Sequence, residues 1–347
     1  MDISFILPVL NEKEYISVTL GSILFQKTQE NYEILISDGG STDGTLEIIN
    51  TIILNNSNVH LIDNPQKMVS TGFNLALNKA KGNIIIRVDG HSEIQKKYLE
   101  KCCNLLKETD ADIVGGVIET ISFGLIGNAI SIAQSSWFGV GGVKFRSNNL
   151  EKPDYVDTLA FGAHKREIFK DIGGYDEEMV CNQDDEFNFR AIQAGKKIWI
   201  DPIIKTKYFA RSSYLKLIKQ YFNYGFYKVR GIQKRGQIFS IHHIIPSIFI
   251  VTLIITLIIG FFLQLPLVAF SVVSLYLVFN LSASIFSTSS ISVIPLISLA
   301  FWTLHLGYGL GFIWGLIRFI NKWKDTELKD FNFNREQFCA NNPNRIN

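Results

Sequence analysis

The stretch Ile84-Ile85-Ile86-Arg87-Val88-Asp89-Gly90-His91 (IIIRVDGH) decides the fold class of this chain. Its first five residues are β-branched except for Arg87, a pattern typical of a strand that is buried on both faces of a parallel sheet. Polar residues follow the strand at once. Sheets of this kind bind ligands beyond the carboxyl ends of their strands, so we expect functional residues at this and neighbouring strand ends.

Short apolar runs and helical patterns alternate on the N-terminal side of this strand. Strands are predicted at Ile3–Leu7, Tyr32–Ser37 and Val59–Ile62, and helices at Tyr15–Phe25, Leu46–Ile53 and Ser70–Ala80. This alternation predicts an α/β fold with a Rossmann-like, mostly parallel sheet flanked by helices. We expect residues 1–209 to form one catalytic domain, with a ligand-binding half (1–112) and a second half (113–209) of strands and Gly-rich turns.

Bulk composition excludes several classes of protein. The chain has 347 residues and a formal net charge of only +2, which disfavours a nucleic-acid binder held by phosphate contacts. The first ten residues lack the basic region of a secretory signal, and the four cysteines form no C-x-x-C motif. We therefore expect reduced, buried or idle thiols in the cytosol.

The composition of the C-terminal third predicts that it associates with a membrane. Residues 210–240 are basic and aromatic, which favours an interfacial helix on an anionic leaflet over a solvated charged helix. Apolar stretches at Ile244–Phe262, Leu267–Phe286 and Val293–Ile320 predict a transmembrane region at 241–321, before a polar tail at 322–347. The amphipathic stretch Ile121–Phe138 is predicted to lie on a membrane surface, along an acceptor groove or in a core.

The number of membrane crossings stays open between two, three and four. Lys and Arg residues flank the apolar region on both sides, which places both flanks in the cytosol and requires an even number. Three apolar stretches conflict with this requirement. Either the third is a re-entrant or interfacial pair of short helices, or the C-terminal charges do not set the topology.

Two loops that follow strands carry the residues of a nucleotide site. The sequence Asp38–Thr45 (DGGSTDGT) places a carboxylate at a strand end, before glycines such as Gly40 that permit close backbone approach. Asp38 is positioned to accept hydrogen bonds from a base or ribose. The same residues would also be expected in a plain turn followed by a helix cap. The sequence Pro8–Glu12 (PVLNE) follows the first strand, and Pro8, Asn11 and Glu12 could line the same pocket.

Acidic residues at two further positions have the chemistry of a metal site and a base. Asp89 and His91 are two residues apart and could bind one divalent cation, Mg²⁺ or Mn²⁺, unless they form an ordinary turn. The stretch Asn182–Glu186 (NQDDE) contains three consecutive acids, which either complement a helix start or supply a general base.

The ordered set PVLNE, SDGGSTDGT, VDGH and NQDDE resembles the inverting glycosyltransferases of family 2, which have the GT-A fold. The D-x-H motif, the stretch QDDEFNFR, Gln220–Lys228 (QYFNYGFYK) and the apolar C-terminal region resemble the succinoglycan-type exopolysaccharide transferases. The resemblance covers Ile3 to about Phe209. Gln220 is not followed by the Q-x-x-R-W pattern of processive members, which disfavours a processive synthase.

This resemblance implies a role for each motif. Asp38 would hold the base of a nucleotide-sugar, with Pro8, Asn11, Glu12, Gly40 and Asp89 on the donor side. Asp89 and His91 would bind the metal–diphosphate group, with His91 in place of the family's usual second Asp. Asp184 would be the catalytic base, with Asp185 as the alternative, and Gly162 and Gln220 would lie on the acceptor side.

The expected function is transfer of a sugar from a nucleotide-sugar, a UDP-sugar by preference, to a lipid-linked or polysaccharide acceptor. A cytosolic catalytic domain at the cell membrane would use a divalent cation (Mn²⁺ or Mg²⁺). Two alternatives stay open. One is a sugar nucleotidyltransferase, although the loop after the first strand lacks a Gly-rich phosphate-binding motif. The other is a non-catalytic membrane component of polysaccharide assembly.

Overall fold

The computed structural model describes residues 2–28, 30–146, 150–210, 212–236 and 241–341. The predicted basic-aromatic segment at 210–240 and the tail at 322–347 therefore lie partly outside the described residues. The chain divides into two compact units. The first comprises residues 1–119, 148–209 and 328–347, and the second comprises residues 120–147 and 210–327.

The described residues form nine strands of one sheet, in the order β3-β2-β1-β4-β8-β6-β9-β5, with β7 beside β9. The strands are β1 (Ile3–Val9), β2 (Tyr32–Asp38), β3 (Val59–Asp63), β4 (Ile84–Arg87), β5 (Ser92–Ile94), β6 (Ile113–Ile121), β7 (Asp154–Tyr155), β8 (Ala163–Lys165) and β9 (Ile198–Phe209). The first four are mutually parallel, whereas β8 runs antiparallel to both β4 and β6. The predicted α/β class is confirmed, and the whole sheet is mixed.

Thirteen α-helices occur in the described part of the chain. They are α1 (Ile16–Leu24), α2 (Thr45–Asn55), α3 (Val69–Lys79), α4 (Tyr98–Glu108), α5 (Gly124–Ser135), α6 (Trp137–Val140), α7 (Arg166–Ile172), α8 (Gln183–Gln193), α9 (Tyr214–Arg235), α10 (Ile245–Phe262), α11 (Pro266–Ser287), α12 (Ile294–Arg318) and α13 (Arg335–Ala340). The three helices predicted before Ile84 match α1, α2 and α3 to within two residues at each end.

The core of the first unit lies under the parallel strands. Every residue of β1 is buried, as expected for a strand covered on both faces. Helix α1 buries Ile16, Leu20 and Ile23, whose spacing of four and three residues places them on one face. The strand register aligns Val9 with Asp38 and Ile6 with Arg87, so the polar segments after β1, β2 and β4 leave the same edge of the sheet.

The end of the described chain folds back into the first unit. Phe338 of α13 is fully buried against Phe169 and Phe333, with ring centroids 6.2 and 5.4 Å apart. Asn332 donates its backbone N–H to the Glu177 carboxylate at 2.9 Å. This contact is not apparent in the polar tail predicted at 322–347, because a few isolated aromatic residues produce no periodic signal.

Among its described residues, the second unit contains three helices that are long and apolar enough to cross a membrane: α10, α11 and the segment Ile291–Arg318, which includes α12. These match the three apolar stretches of the sequence. The third is one continuous helix, so a pair of short helices is excluded as its structure. Helices α5, α9 and α12 share a core in which Ala129 and Ile130 meet Leu217 and Phe301. Helix α5 has one face buried in that core and exposes Phe123, Leu125 and Ile126 at its N-terminal end.

Candidate functional site

The loop after β2 is organised by the buried carboxylate of Asp38. Its Oδ2 accepts backbone N–H bonds from Gly40 at 2.7 Å and Ser41 at 2.9 Å, and its Oδ1 accepts the Ser41 hydroxyl at 2.5 Å. Gly40 has a φ of +79°, a conformation that a residue with a side chain rarely adopts. Asp38 therefore shapes the turn and lies at the sheet edge where ligands bind in this class of fold.

The segment after β1 is fastened to the same loop. The backbone N–H of Asn11 donates to the Ser41 hydroxyl at 2.9 Å, and its side-chain oxygen accepts the N–H of Thr42 at 2.9 Å. Asn11 has a φ of +56°, so these bonds hold a locally strained backbone. Pro8 is a buried residue inside β1, which continues to Val9, two residues beyond the predicted end of this strand.

The residues after β4 form two pairs. Arg87 donates two hydrogen bonds to the same oxygen of Asp89, from Nε at 3.0 Å and from a terminal nitrogen at 2.9 Å. His91 Nδ1 is 2.9 Å from the Glu12 carboxylate, which connects the end of β4 with the end of β1. Burial alone lowers the pKa of His91, but Tyr208 and Glu12 outweigh that effect and raise the pKa to about 9.

The acidic stretch at 182–186 starts helix α8. Asn182 has a φ of +61°, and Asp184 accepts the backbone N–H of Asp185 at 2.9 Å. Burial raises the pKa of Asp184, and the Arg87 guanidinium opposes this shift. The carboxylates of Asp185 and Asp89 raise the pKa further, because like charges disfavour ionisation of a neighbour.

Glu186, the third acid of this stretch, has a structural partner. Arg190 binds both of its carboxylate oxygens, at 2.6 and 2.9 Å, one turn further along α8. Arg190 also donates to the backbone carbonyl of Gly174 at 2.7 Å. Glu186 is therefore committed to holding α8 in place, which leaves Asp184 and Asp185 as the candidates for a catalytic base.

The two residues predicted on the acceptor side lie in different units. Gly162 is buried in the first unit, where an added Cβ would come within 2.9 Å of Ile113. The loop before it is held by Asn188 of α8, which donates to the carbonyl of Leu159 at 2.8 Å. Gln220 lies on α9 in the second unit, and its side chain donates to the Tyr224 hydroxyl at 2.9 Å.

Arg87 is a functional candidate to which the sequence motifs assign no role. It is buried, bonded to Asp89 and close enough to Asp184 to influence its pKa, and its guanidinium lies 5.7 Å from the ring centre of Tyr175. A charged residue at the end of an otherwise β-branched strand was the available signal. It could not reveal the partner, because Asp184 is almost a hundred residues away in the chain.

The donor set around Asp89 fits a cation that takes most of its ligands from a substrate. The described residues contain no group of three or more His, Cys, Asp or Glu side chains that could hold a metal ion. Asp89 and His91 could supply two ligands, as is usual where Mg²⁺ or Mn²⁺ is completed by phosphates and water. The Glu12–Nδ1 contact is a typical outer support for a metal-binding His, although a cation at Nε2 would compete with a proton.

Comparison with known proteins identifies a family and two informative relatives. The family model for glycosyl transferase family 2 matches residues 4–173. The succinoglycan biosynthesis protein ExoA of Rhizobium meliloti (strain 1021) is 30% identical over 243 residues, which cover 70% of this chain and 73% of ExoA. A Methanococcus voltae protein is 28% identical over 325 residues, covering 91% of this chain and 97% of the relative. Its name is dolichyl N-acetyl-alpha-D-glucosaminyl phosphate 3-beta-D-2,3-diacetamido-2,3-dideoxy-beta-D-glucuronosyltransferase.

Among solved structures, residues 1–349 of S. aureus TarS in complex with UDP-GlcNAc resemble this chain. The TM-score is 0.51 at 17% sequence identity, and the match covers 92% of each chain. At this level of identity the likeness concerns the fold.

Proposed function

Because the chain belongs to glycosyltransferase family 2, we propose that it transfers a sugar from a nucleotide-sugar, with inversion, onto an acceptor at a membrane. The family resemblance predicted from the motifs is confirmed, including the relation to a succinoglycan biosynthesis protein. Family membership also favours a sugar transferase over a nucleotidyltransferase or a non-catalytic assembly component.

One observation carries the proposal: carboxylates from distant parts of the sequence converge at one edge of the sheet. Asp38 ends β2 and Asp89 follows β4, and these two strands run parallel to β1 on either side of it. Asp184, on α8, is close enough to Arg87 and Asp89 for both to influence its pKa. Acids that repel one another are costly to bring together, so a group of them indicates a function. A substrate with an activated phosphate ester and an attacking hydroxyl needs acidic side chains of this kind.

The loops after β1 and β2 are proposed to bind the nucleotide. Asp38 would accept hydrogen bonds from the base, with Gly40 allowing close backbone approach. Asn11 and Glu12 would form the wall, beside the buried Pro8 near the end of β1. Asn11 donates its N–H to the Ser41 hydroxyl and accepts the N–H of Thr42, and these two bonds would keep the pocket ordered before the donor binds. The complex of TarS with UDP-GlcNAc supports a UDP-sugar as the first donor to test.

Asp89 and His91 are proposed to hold a divalent cation with the donor diphosphate. Such an ion supplies positive charge that stabilises the departing nucleoside diphosphate. Arg87 keeps one oxygen of Asp89 in a fixed position, and Glu12 fixes the orientation of the His91 ring. These two contacts would prepare the ligands before the donor arrives.

Asp184 is proposed to be the general base. Its carboxylate takes the proton of the acceptor hydroxyl as that oxygen bonds to the anomeric carbon, while the bond from this carbon to the diphosphate oxygen breaks. A single displacement inverts the anomeric configuration. The raised pKa of Asp184 makes its carboxylate a better proton acceptor than an ordinary surface acid.

The acceptor is proposed to be a lipid-linked or growing glycan, reached by a catalytic domain on the cytosolic side. The Methanococcus voltae relative is named for a dolichyl phosphate acceptor, and the Rhizobium meliloti relative for exopolysaccharide synthesis. The three long apolar helices support action at a membrane. Gly162 and Gln220 stay candidates for the acceptor side.

The base assignment is tested with a matched pair of variants, Asp184→Asn and Asp185→Asn, in membranes with a panel of nucleotide-sugars. Asp184→Asn should reduce sugar transfer by about a hundred- to ten-thousand-fold, the range expected for the loss of a general base. UDP should still raise the melting temperature of both variants, because the nucleotide loops are unchanged. Wild-type transfer by Asp184→Asn, or a greater loss in Asp185→Asn, would refute the assignment.

A further inference from the structure

The segments of chain before and after the apolar helices belong to the same compact unit. The first unit contains the chain up to Phe209 and the chain from Leu328 onward. The returning segment is bonded into that unit, since Asn332 donates its side-chain amide to Glu177 at 2.8 Å and accepts an N–H bond from Asn78 at 2.6 Å. A folded unit lies on one side of a membrane, so the chain between its two parts must cross an even number of times.

Helix α12 is the one of the three that does not fit a crossing, because it lies alongside α9 in parallel over its whole length. The Tyr214 hydroxyl donates to the carbonyl of Leu296 at 2.8 Å near the start of both helices. Near their ends, Gln233 donates to the carbonyl of Phe319 at 2.8 Å. Between these points the backbones approach closely at glycines: an added Cβ on Gly315 would come within 2.6 Å of the Phe226 carbonyl oxygen.

The charge of α9 makes a joint crossing with α12 unfavourable. Helix α9 contains six Lys and Arg residues and no Asp or Glu. Lys216 and Lys219 are exposed, and the fully buried Arg230 pairs with Asp325 at 3.0 Å. If α12 spanned the hydrocarbon, these cations would be carried across with it, at a high cost for each charge. The exposed Lys216 and Lys219 suit a helix that rests on anionic lipid headgroups.

Helices α10 and α11 have the opposite character. A three-residue turn at 263–265 connects them, and no Lys, Arg, Asp or Glu occurs from residue 241 to residue 317. Within an apolar stretch of 18 residues in each, 17% of the residues are buried in α10 and 12% in α11, against 39% in the segment Ile291–Arg318 that includes α12. Helix α12 touches this hairpin near its open end, where Trp302 lies 6.0 Å from Phe249 and 4.3 Å from Tyr276. The rest of the hairpin exposes large apolar side chains to its surroundings.

We propose that the α10–α11 hairpin alone enters the hydrocarbon of the bilayer and returns to the side it came from, while α12 stays with α9 at the membrane surface. The occupant of the exposed hairpin surface is therefore lipid acyl chain. This arrangement removes the conflict between three apolar stretches and two basic flanks. It goes beyond the proposed function, because it concerns where the chain lies and not which sugar it transfers.

Cysteine labelling tests the even number of crossings. In a full-length chain with Cys181→Ser and Cys339→Ser, single cysteines replace the exposed residues Lys216, before the hairpin, and Thr326, after α12. An impermeant maleimide is then added to sealed vesicles of both orientations. Both positions should react in the same vesicle orientation, with at least a ten-fold preference. Reaction of Lys216→Cys and Thr326→Cys from opposite sides would overturn the proposal.

A matched pair of lysine substitutions distinguishes the hairpin from α12. Leu257 of α10 and Leu310 of α12 are equally exposed, at 43% and 44%. Leu257→Lys should reduce the carbonate-resistant membrane fraction several-fold, whereas Leu310→Lys should leave it nearly unchanged, because a Lys at the surface can extend to the headgroups. Equal losses in both variants would mean that α12 also crosses.

The same carbonate extraction tests the alternative that a second copy of the chain, and not lipid, covers the exposed surface of the hairpin. Release of the wild-type protein by carbonate as a soluble dimer would assign that surface to a partner copy and contradict the proposal. Sugar transfer, measured in the same membranes, is a separate readout. If both cysteines are labelled from the same side but no sugar is transferred, the result counts against the proposed function. If they are labelled from opposite sides and transfer is normal, the result counts against the proposed topology.

Discussion

At the scale of single residues, Arg87 connects the parts of the candidate site. Asp89 and Asp184 have like charges, and bringing them together without a cation would raise the pKa of each. The buried guanidinium between β4 and α8 offsets this repulsion and gives Asp89 two directed hydrogen bonds. Its planar geometry matters as much as its charge, because both bonds end on the same carboxylate oxygen.

We expect Arg87→Lys to fold but to transfer sugar at least ten-fold more slowly than wild type. A lysine keeps the positive charge, but its single ammonium group cannot reproduce the paired donation to Asp89 while also remaining near Asp184. Steady-state kinetics should show the loss mainly in kcat, and UDP should raise the melting temperature as in wild type. A variant with unchanged kcat would mean that Arg87 only supports the fold.

At the scale of elements, close approach between α9 and α12 depends on glycine. Gly307, Gly311 and Gly315 recur at intervals of four along α12, so they lie on one face. Added Cβ atoms at these positions would meet backbone or side-chain atoms of α9. The basic, aromatic helix is therefore held by backbone contact with an apolar one, a packing that small residues make possible.

Gly311→Ala should destabilise the second unit, whereas Gly21→Ala should be neutral or slightly stabilising. At Gly311 a new Cβ would overlap the carbonyl oxygen of Phe222, and the two helices would have to separate. Gly21, in the middle of α1, has no atom within 4 Å of an added Cβ, so the helical preference of Ala, up to about 1 kcal/mol, is the main effect there. Thermal unfolding in detergent should show a lower melting temperature for Gly311→Ala and not for Gly21→Ala. Equal melting temperatures would contradict the tight packing.

At the scale of the whole molecule, the sequence predicted what depends on local pattern. The β-branched run ending at Arg87, the glycine loop after Asp38 and the three apolar helices all carry a periodic or compositional signal. What it did not predict depends on contacts between distant residues: the Arg87–Asp184 proximity, the bond from Arg190 to the carbonyl of Gly174, and the return of the chain end to the first unit. Those contacts involve single side chains, and a lone residue has no period to detect.

The last described residues of the chain pack into the first unit, and we expect them to contribute to its stability. Phe338 is fully buried, and the Arg166 guanidinium lies 3.7 Å from the centre of its ring. Phe338→Ala should lower the free energy of unfolding by about 3–5 kcal/mol, the usual cost of removing a buried aromatic side chain. Phe331→Ala is the matched control, because that ring is 83% exposed and its loss should change the free energy by less than about 0.5 kcal/mol.

Denaturant unfolding of the detergent-solubilised protein compares these two variants. If the segment after α12 is part of the folding unit, Phe338→Ala should lower the midpoint of the transition that unfolds the parallel sheet, since the cavity opens beside Phe169 in that unit. If the segment were a loosely attached tail, both variants would unfold at the wild-type midpoint. A result of that kind would also remove the structural reason for an even number of membrane crossings, and only the basic residues on both flanks of the apolar helices would still support it.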